Sequence, residues 1–314
     1  MSSSSADNWI PHLPSDDDAA VIIRRLIASE SDHIPSPDYL SLCRDRTIDV
    51  TARQDSINWI FKVHAHYGFA PLTAFLSVNY LDRFLSTQSL PQKHGRWPFQ
   101  LLSVACLCLA AKMEEPNIPF IVDLQILEPK FVFEPKTVQR MELWVMSILN
   151  WRLRSVTPFD FLPHFISKLP SSSPRDLFEA SSDLVLKTIR VIDFLGFSPS
   201  TIAAAAVLCA AGERIDFAAA EGDQAAALFH DIVNKESVRS CHQLMEEYLI
   251  DTCHKFRRPD PPPQSTPASP VGVLDAAACG SCDTLSENPG STVQAEPPAK
   301  RLRASSPDND VRPP

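Results

Sequence analysis

Two charged side chains stand in stretches of sequence that are otherwise apolar. Lys112 ends the run LLSVACLCLAAK, and Glu142 lies within MELWVMSILNW. An isolated charge in a protein interior costs several kcal/mol, so each side chain needs solvent or a partner of opposite charge. Two interpretations stay open. Either both side chains reach solvent, with Lys112 at the C-terminal dipole of its helix, or they form an ion pair that bridges two helices where another protein docks.

Arg53 and Asp82 form a second candidate pair between helices, for which a structural role is predicted. Other patterns that could carry chemistry are weak. The chain has no phosphate-cradling glycine loop, no nucleophile elbow and no metal-ligand cluster of workable spacing. Cys279 and Cys282 make a single C-x-x-C with no second pair or nearby histidine, so we predict no zinc site there. We therefore predict no cofactor and no catalytic activity.

The composition and charge of the chain argue against several classes of function. The 314 residues are 44% hydrophobic, which is normal for a chain with a folded core. The net charge of −9 argues against a general binder of nucleic acids or anionic membranes, which needs a basic face. The apolar run from Leu101 to Ala111 is shorter than the about 20 residues that cross a bilayer. We see no secretory signal, and eight cysteines without one suggest reduced thiols in a cytosolic or nuclear protein.

The elements that must position these residues are helices, because apolar residues recur at three and four and no two-residue alternation appears. The predicted helices span residues 16–29, 50–67, 71–86, 97–113, 119–127, 135–150, 158–168, 175–194, 198–213 and 235–254. Residues 257–314 hold twelve of the 28 prolines and no Phe, Trp or Tyr, so this tail is predicted to be disordered. The sequence thus predicts an all-α protein with a disordered C-terminal tail.

An internal repeat divides the helical part of the chain. SVACLCLAAK (103–112) and AAAAVLCAAG (203–212) are both small-residue, apolar segments, each suited to the centre of its own bundle. We predict a short helical N-terminal segment at 1–29, two helical subdomains at 30–155 and 156–256, and the tail. Lys112 corresponds to Gly212 in the second copy, so the first bundle is expected to have a role that the second lacks.

Five positions, each in a helical context, resemble the cyclin box. They are Arg53, Asp82 in NYLDRFLS, Leu101, Lys112 in LAAKMEEP and Glu142 in MELWVMSILNW. The match covers most of residues 20–250, and AKMEE and LNWRLRSVTPFDFL are most similar to plant D-type cyclins. The resemblance implies two tandem five-helix cyclin folds. It also implies a nuclear protein, also present in the cytoplasm, that binds and activates a cyclin-dependent kinase in G1 and at the G1/S transition.

The resemblance also assigns a kinase-binding site. In this family the lysine and glutamate that match Lys112 and Glu142 hold the regulatory helix of the kinase. The neighbouring contact positions are Met113, Met146, Trp151 and Leu153. Kinase inhibitors and a retinoblastoma-related protein are further partners that the family implies.

Two motifs depart from the family pattern. The L-x-C-x-E motif for retinoblastoma-type proteins is absent, because YLSLCRDR has Ser41 and Asp45 around Cys43. At the positions of the substrate-docking patch of the family, this chain retains Arg53, and Trp59 and Gln100 also match the family pattern. Its apolar anchors are replaced in ARQDS (52–56), and Lys62 stands where an acidic residue is common. We expect weak binding of R-x-L peptides and substrate selection through other surfaces.

The tail offers minimal sites for proline-directed kinases at Thr266, Ser269 and Ser306, and a basic cluster from Lys300 to Arg303 that suits nuclear import. Two other functions stay open. One is a cyclin-fold scaffold that binds inhibitors or pocket proteins without activating a kinase. The other is a transcription-type protein that binds DNA or a basal factor, which the acidic charge balance disfavours.

Overall fold

The computed structural model describes residues 16–90, 96–125, 127, 131–169, 173–212 and 232–250, and within these the regular structure is helical without β-strands. The predicted all-α class is confirmed. The α-helices, in chain order, are α1 (Asp16–Glu30), α2 (Tyr39–Arg44), α3 (Val50–Tyr67), α4 (Pro71–Thr87), α5 (Trp97–Glu114), α6 (Ile121–Leu124), α7 (Pro135–Ile148), α8 (Leu162–Lys168), α9 (Pro174–Thr188), α10 (Pro199–Ala211) and α11 (Lys235–Met245). Short 3₁₀ helices span Ser31–His33, Pro158–Asp160 and Ile192–Gly196.

The first hydrophobic core is built around α5. Every residue of this helix from Leu101 to Ala111 is buried, and α5 packs against α3, α4 and α7. Small side chains such as Ala105, Cys106 and Ala110 allow the neighbouring helices to approach closely. A helix that is apolar on all sides must be enclosed, so α3–α7 form a bundle around it.

The second core has the same plan. Residues Ala203–Leu208 of α10 are fully buried, and α8, α9 and α11 pack against this helix. The two small-residue segments of the internal repeat are therefore both central helices. Residues 213–231, where the fifth helix of the second predicted bundle would lie, are outside the described residues.

The two central helices end differently. Gly212 follows α10 with φ of 71°, a left-handed conformation that glycine adopts without steric cost. After α5, Glu115 has extended backbone, and its carboxylate accepts hydrogen bonds from the Ala70 amide (2.8 Å) and the Thr73 hydroxyl at the start of α4. The turn after Lys112 is thereby fixed to α4.

Several predicted helix bounds differ from the structure because tertiary contacts compete with local helix formation. The predicted helix 175–194 ends at Thr188, because the Ile189 carbonyl accepts a hydrogen bond from Arg53 Nη2 (3.2 Å). The predicted helix 119–127 is only the single turn α6, because the Gln125 side chain bonds the backbone of Phe133 instead. The predicted helix 158–168 is divided into a 3₁₀ turn and α8. The predicted helix 235–254 begins as α11 and continues as a π-helical turn from Glu246 to Ile250.

The sequence analysis missed α2, whose Tyr39 is buried beside the Arg53–Asp82 pair. Arg53 Nε and Nη2 lie 2.7 Å from the two carboxylate oxygens of Asp82, and the Tyr39 hydroxyl donates to Asp82 Oδ1 at 2.7 Å. All three residues are at least 98% buried. Burial lowers the pKa of Arg53, but the charge and hydrogen bonds of Asp82 together outweigh burial and raise it. The pair joins α2, α3 and α4 and, through Ile189, the second half of the chain.

No helix among the described residues is long and apolar enough to cross a membrane. The predicted disordered tail at 257–314 lies outside the described residues, and so do Thr266, Ser269, Ser306, the basic cluster Lys300–Arg303 and the Cys279–Cys282 motif.

Asp82→Asn tests the structural role of the buried pair. The substitution removes the carboxylate charge and leaves the Arg53 guanidinium buried without its counter-ion, so we expect a loss of about 3–5 kcal/mol in the free energy of unfolding. Tyr39→Phe, which removes one hydrogen bond and keeps the ion pair, should cost about 1–2 kcal/mol. Urea denaturation followed by circular dichroism measures both. Equal losses for the two variants would contradict the assigned role.

Candidate functional site

Lys112 and Glu142 form an ion pair between α5 and α7. Lys112 Nζ lies 2.6 Å from Oε1 and 2.7 Å from Oε2 of Glu142. The Glu142 side chain is 6% exposed and that of Lys112 is 41% exposed. The two side chains therefore pair between the helices, with the ammonium group at the protein surface, and docking of another protein at this pair stays a prediction.

The packing of α5 and α7 positions this pair. Val138, Met141 and Val145 of α7 are buried in the first core, and Glu142 lies next to them at the edge of the contact. Cys108 is one turn before Lys112 on α5 and is also buried. Burial raises the pKa of the Cys108 thiol to about 12, and the Glu142 charge adds to the shift. The carboxylate contacts α5 through Lys112 in the last turn of that helix.

Apolar side chains lie on the same two helices and the segment after α7. Met113 and Trp151 are exposed, with Trp151 at 67%, while Met146 and Leu153 are half-buried against the first core. The structure adds Leu143, which is 56% exposed and was not predicted. It stands three residues before Met146, a spacing that makes the two neighbours on the helix surface.

The segment after α5 exposes further apolar side chains that sequence reasoning missed. Ile118, Phe120 and Val122 are all exposed, and Phe120 is 81% exposed at the N-terminus of α6. Exposed apolar residues that cluster in a few segments are typical of interaction surfaces. The signal available in the sequence was the motif NIPFIV, which is apolar without helical periodicity.

A strained turn presents Trp151. Asn150 and Trp151 have φ of 51° and 61°, which non-glycine residues rarely adopt and which is costly for a side chain as large as tryptophan. The Trp151 amide donates to the Met146 carbonyl (2.9 Å) and the Asn150 amide to the Ser147 carbonyl (3.1 Å). These two bonds form a Schellman motif, with Asn150 in the position that usually holds glycine.

Side chains of α4 hold this turn from the other side. The Tyr80 hydroxyl donates to the Leu153 carbonyl at 2.6 Å, and Arg83 Nη1 donates to the Arg152 carbonyl at 3.0 Å. Both donors are buried. The strain at Asn150 and Trp151 is thus maintained by contacts with an element about 70 residues away in the chain.

Of the three docking-patch candidates, the structure brings two together. Trp59 and Gln100 line a cleft between α3 and α5. Arg53 is not among the lining residues, because its guanidinium is 1% exposed and is bonded to Asp82.

Models of two protein domains match the chain. The N-terminal cyclin domain matches residues 21–154 and the C-terminal cyclin domain residues 156–259. The chain belongs to the cyclin family.

This cyclin is similar to plant D-type cyclins over most of its length. It is 45% identical to cyclin-D4-1 of Oryza sativa subsp. japonica, covering 82% of this chain and 70% of that one. It is 44% identical to cyclin-D1-1 of Arabidopsis thaliana, covering 80% and 72%. These comparisons confirm the predicted resemblance.

A solved structure supports the fold alone. The viral cyclin of herpesvirus saimiri superposes with a TM-score of 0.56 at 17% identity, covering 71% of this chain and 96% of that one. Two tandem cyclin folds are therefore confirmed. The proposed contact roles of Lys112, Met113, Glu142, Met146, Trp151 and Leu153, and the predicted domain bounds, stay predictions.

Substitutions at Asn150 test the strained turn of this cyclin. Asn150→Ala places a side chain with no αL preference at φ of 51° and should lower the free energy of unfolding by about 1 kcal/mol. Asn150→Gly should leave stability unchanged or raise it slightly, because glycine adopts this conformation readily. Urea denaturation compares the two variants. If the alanine variant were as stable as the glycine variant, the turn would not be strained at this residue.

Proposed function

We propose that this cyclin is a regulatory subunit that binds and activates a cyclin-dependent serine/threonine kinase. The observation that carries the proposal is the Lys112–Glu142 ion pair at the surface edge of the first core, with exposed apolar side chains on the same elements. In this proposal the kinase supplies the catalytic groups, and the contribution of the cyclin is the position of a kinase element.

The arrangement suits a surface that holds a helix of the kinase. In protein kinases, a glutamate on the αC helix must pair with the lysine that contacts ATP before phosphoryl transfer can proceed. Lys112 and Glu142 offer fixed polar contacts to the ends and backbone of such a helix. Met113, Leu143 and Trp151 offer the apolar contacts.

The rigidity of the surface favours binding. The Glu142 carboxylate is held by two contacts with Lys112, and Trp151 is held on a turn that α4 supports. Side chains that are already ordered lose little conformational entropy when a partner binds. Tryptophan is also among the residue types that contribute most of the binding energy at protein interfaces.

Three substitutions test the proposal in a kinase assay. Lys112→Ala, Glu142→Ala and Trp151→Ala would be co-expressed with a plant cyclin-dependent kinase, and phosphorylation of histone or a pocket protein measured. Removing one member of the charge pair at the interface should cost about 2–5 kcal/mol of binding, which lowers affinity about 30-fold to several thousandfold. Trp151→Ala should lower affinity at least about 30-fold.

The matched control is Lys168→Ala, which removes an exposed lysine from α8 in the second half and should leave activation unchanged. Circular dichroism would establish that each variant is folded. Kinase binding by the wild type without activation would favour the scaffold function instead. Absence of binding to several kinases, together with salt-sensitive binding to DNA, would favour the transcription-type function.

We infer a role in G1 and at the G1/S transition from the similarity to D-type cyclins. Kinase inhibitors and a retinoblastoma-related protein are proposed as further partners of the complex. Because the L-x-C-x-E motif is absent around Cys43, and Cys43 is itself buried, we expect a retinoblastoma-related protein to be recognised through another element.

We propose that this cyclin acts in the nucleus and is also present in the cytoplasm. The basic cluster Lys300–Arg303 supports import. Replacing Lys300, Arg301 and Arg303 by alanine in a fluorescent fusion of the full chain should lower the nuclear-to-cytoplasmic ratio several-fold. An unchanged ratio would show that the cluster is not the import signal.

A further inference from the structure

Arg83 of α4 is a buried cation, and among the described residues no carboxylate lies within ion-pair distance of its guanidinium. Burial, with a smaller contribution from the charge of Arg152, lowers the pKa of Arg83 to about 10. A buried charge without a counter-ion is costly unless neutral acceptors replace its hydration. The acceptors of Arg83 Nη1 are the Arg152 carbonyl and the Ser155 hydroxyl, both at 3.0 Å. Both hydrogen bonds therefore go to the segment that follows Trp151.

Ser155 connects this segment to a second residue of α4. Ser155 is buried, and its hydroxyl donates to Asn79 Oδ1 at 3.1 Å. Asn79 Nδ2 donates in turn to the His33 carbonyl at 2.9 Å. Asn79 and Arg83 are four residues apart, so they lie on one face of α4. This face of α4 therefore bonds both residues 152–155 and the 3₁₀ helix Ser31–His33.

An ion pair at the surface also joins these two segments. Arg152 Nη1 lies 3.3 Å from Asp32 Oδ1, and both side chains are about half exposed. An exposed ion pair contributes little to stability. The buried hydrogen bonds of Asn79 and Ser155 are therefore the main connection between the 3₁₀ helix and residues 152–155.

The 3₁₀ helix is itself anchored through α1, which ends directly before it. Ile23 of α1 is buried in the second core. The Glu30 carboxylate accepts hydrogen bonds from the amide and the hydroxyl of Ser200, both at 3.0 Å. Because the 3₁₀ helix is bonded to α4 on one side and follows an anchored helix on the other, it is a fixed support for residues 152–155.

Trp151 requires such support. Its φ of 61° is a strained conformation, which persists only where the surrounding structure enforces it. Tyr80 and Arg83 hold the first part of the following segment through the carbonyls of Leu153 and Arg152. The hydrogen bond from Ser155 to Asn79 holds its end. Without that bond the segment is fixed at fewer points, and the turn has more freedom to relax.

We propose that Asn79 and Ser155 are positioning residues of the kinase-binding surface, which fix Trp151 by joining residues 152–155 to the N-terminal 3₁₀ helix. They act through Trp151 and not through contact with the kinase. The N-terminal segment of the chain is thereby a structural part of this surface. The inference rests on the proposed function, because Trp151 is an anchor only if a kinase binds there.

The position of Trp151 can be followed by fluorine NMR of the purified full chain labelled with fluorotryptophan. The chain has five tryptophans, and Trp151→Phe identifies the resonance of Trp151. In Ser155→Ala and in Asn79→Ala we expect this resonance to shift or broaden, because the turn is less constrained. The resonances of Trp59 and Trp97 should not move. A general loss of stability would affect all of them.

The matched control is Ser181→Ala. Ser181 is also a buried serine, and its hydroxyl donates to the Leu177 carbonyl at 2.7 Å within α9. This variant loses a buried hydrogen bond outside the network, so the Trp151 resonance should not change. In Ser155→Ala, Arg83 keeps the Arg152 carbonyl as an acceptor, so we expect this variant to fold.

Kinase affinity would then be measured with the plant cyclin-dependent kinase of the activation assay. Ser155→Ala and Asn79→Ala should each lower affinity about fivefold to tenfold, because Trp151 must be ordered when the kinase binds. Asp32→Asn, which removes only the exposed ion pair, should lower affinity at most about twofold. Ser181→Ala should leave affinity unchanged.

Three results would overturn the positioning role: an unchanged Trp151 resonance in Ser155→Ala, the same change in Ser181→Ala, or full kinase affinity in Ser155→Ala. Absence of kinase binding by the wild type would instead overturn the proposed function. The two failures are distinguishable, because no kinase is present in the NMR measurement and it reports on Trp151 in either case.

Discussion

The burial of α5 is the constraint on which the first half of this cyclin depends. Its residues from Leu101 to Ala111 are all buried, so neighbouring helices must enclose it and it reaches the surface only near its two ends. Lys112 lies on its last turn, where the helix dipole and Glu142 both favour a cation. The position of the ion pair is therefore a consequence of core packing.

The second half shows what the same architecture does without such a site. Its central helix α10 is equally enclosed, but it ends at Gly212 in a left-handed conformation and carries no charge there. The two halves are joined through Arg53, which binds Asp82 of α4 and the Ile189 carbonyl after α9. Removing a buried charge from this network would disturb both cores at once. The second half thus contributes to the site by supporting the elements that carry it.

Several acidic side chains on the described surface already form hydrogen bonds or ion pairs within the chain. Glu115 bonds the start of α4, Glu30 bonds the Ser200 amide at the start of α10, and Asp55 pairs with Arg96. These carboxylates stabilise helix ends and salt bridges, so they are not available to a ligand. The negative net charge of this cyclin therefore includes carboxylates that are already bonded within the chain. Local charge is decided by which side chains the fold brings together.

The sequence by itself determined the all-α class, the two central helices and the residue types of the ion pair. Apolar periodicity and small-residue runs are local signals, so they predict helices without any information on tertiary contacts. The tertiary structure alone decided that α9 ends at Thr188, that Tyr39 bonds Asp82 and that Trp151 adopts a left-handed conformation. Leu143 and Phe120 look like core residues in the sequence but are exposed. Exposure depends on which faces distant helices cover, and contacts such as Arg53 with Ile189 join residues 136 positions apart.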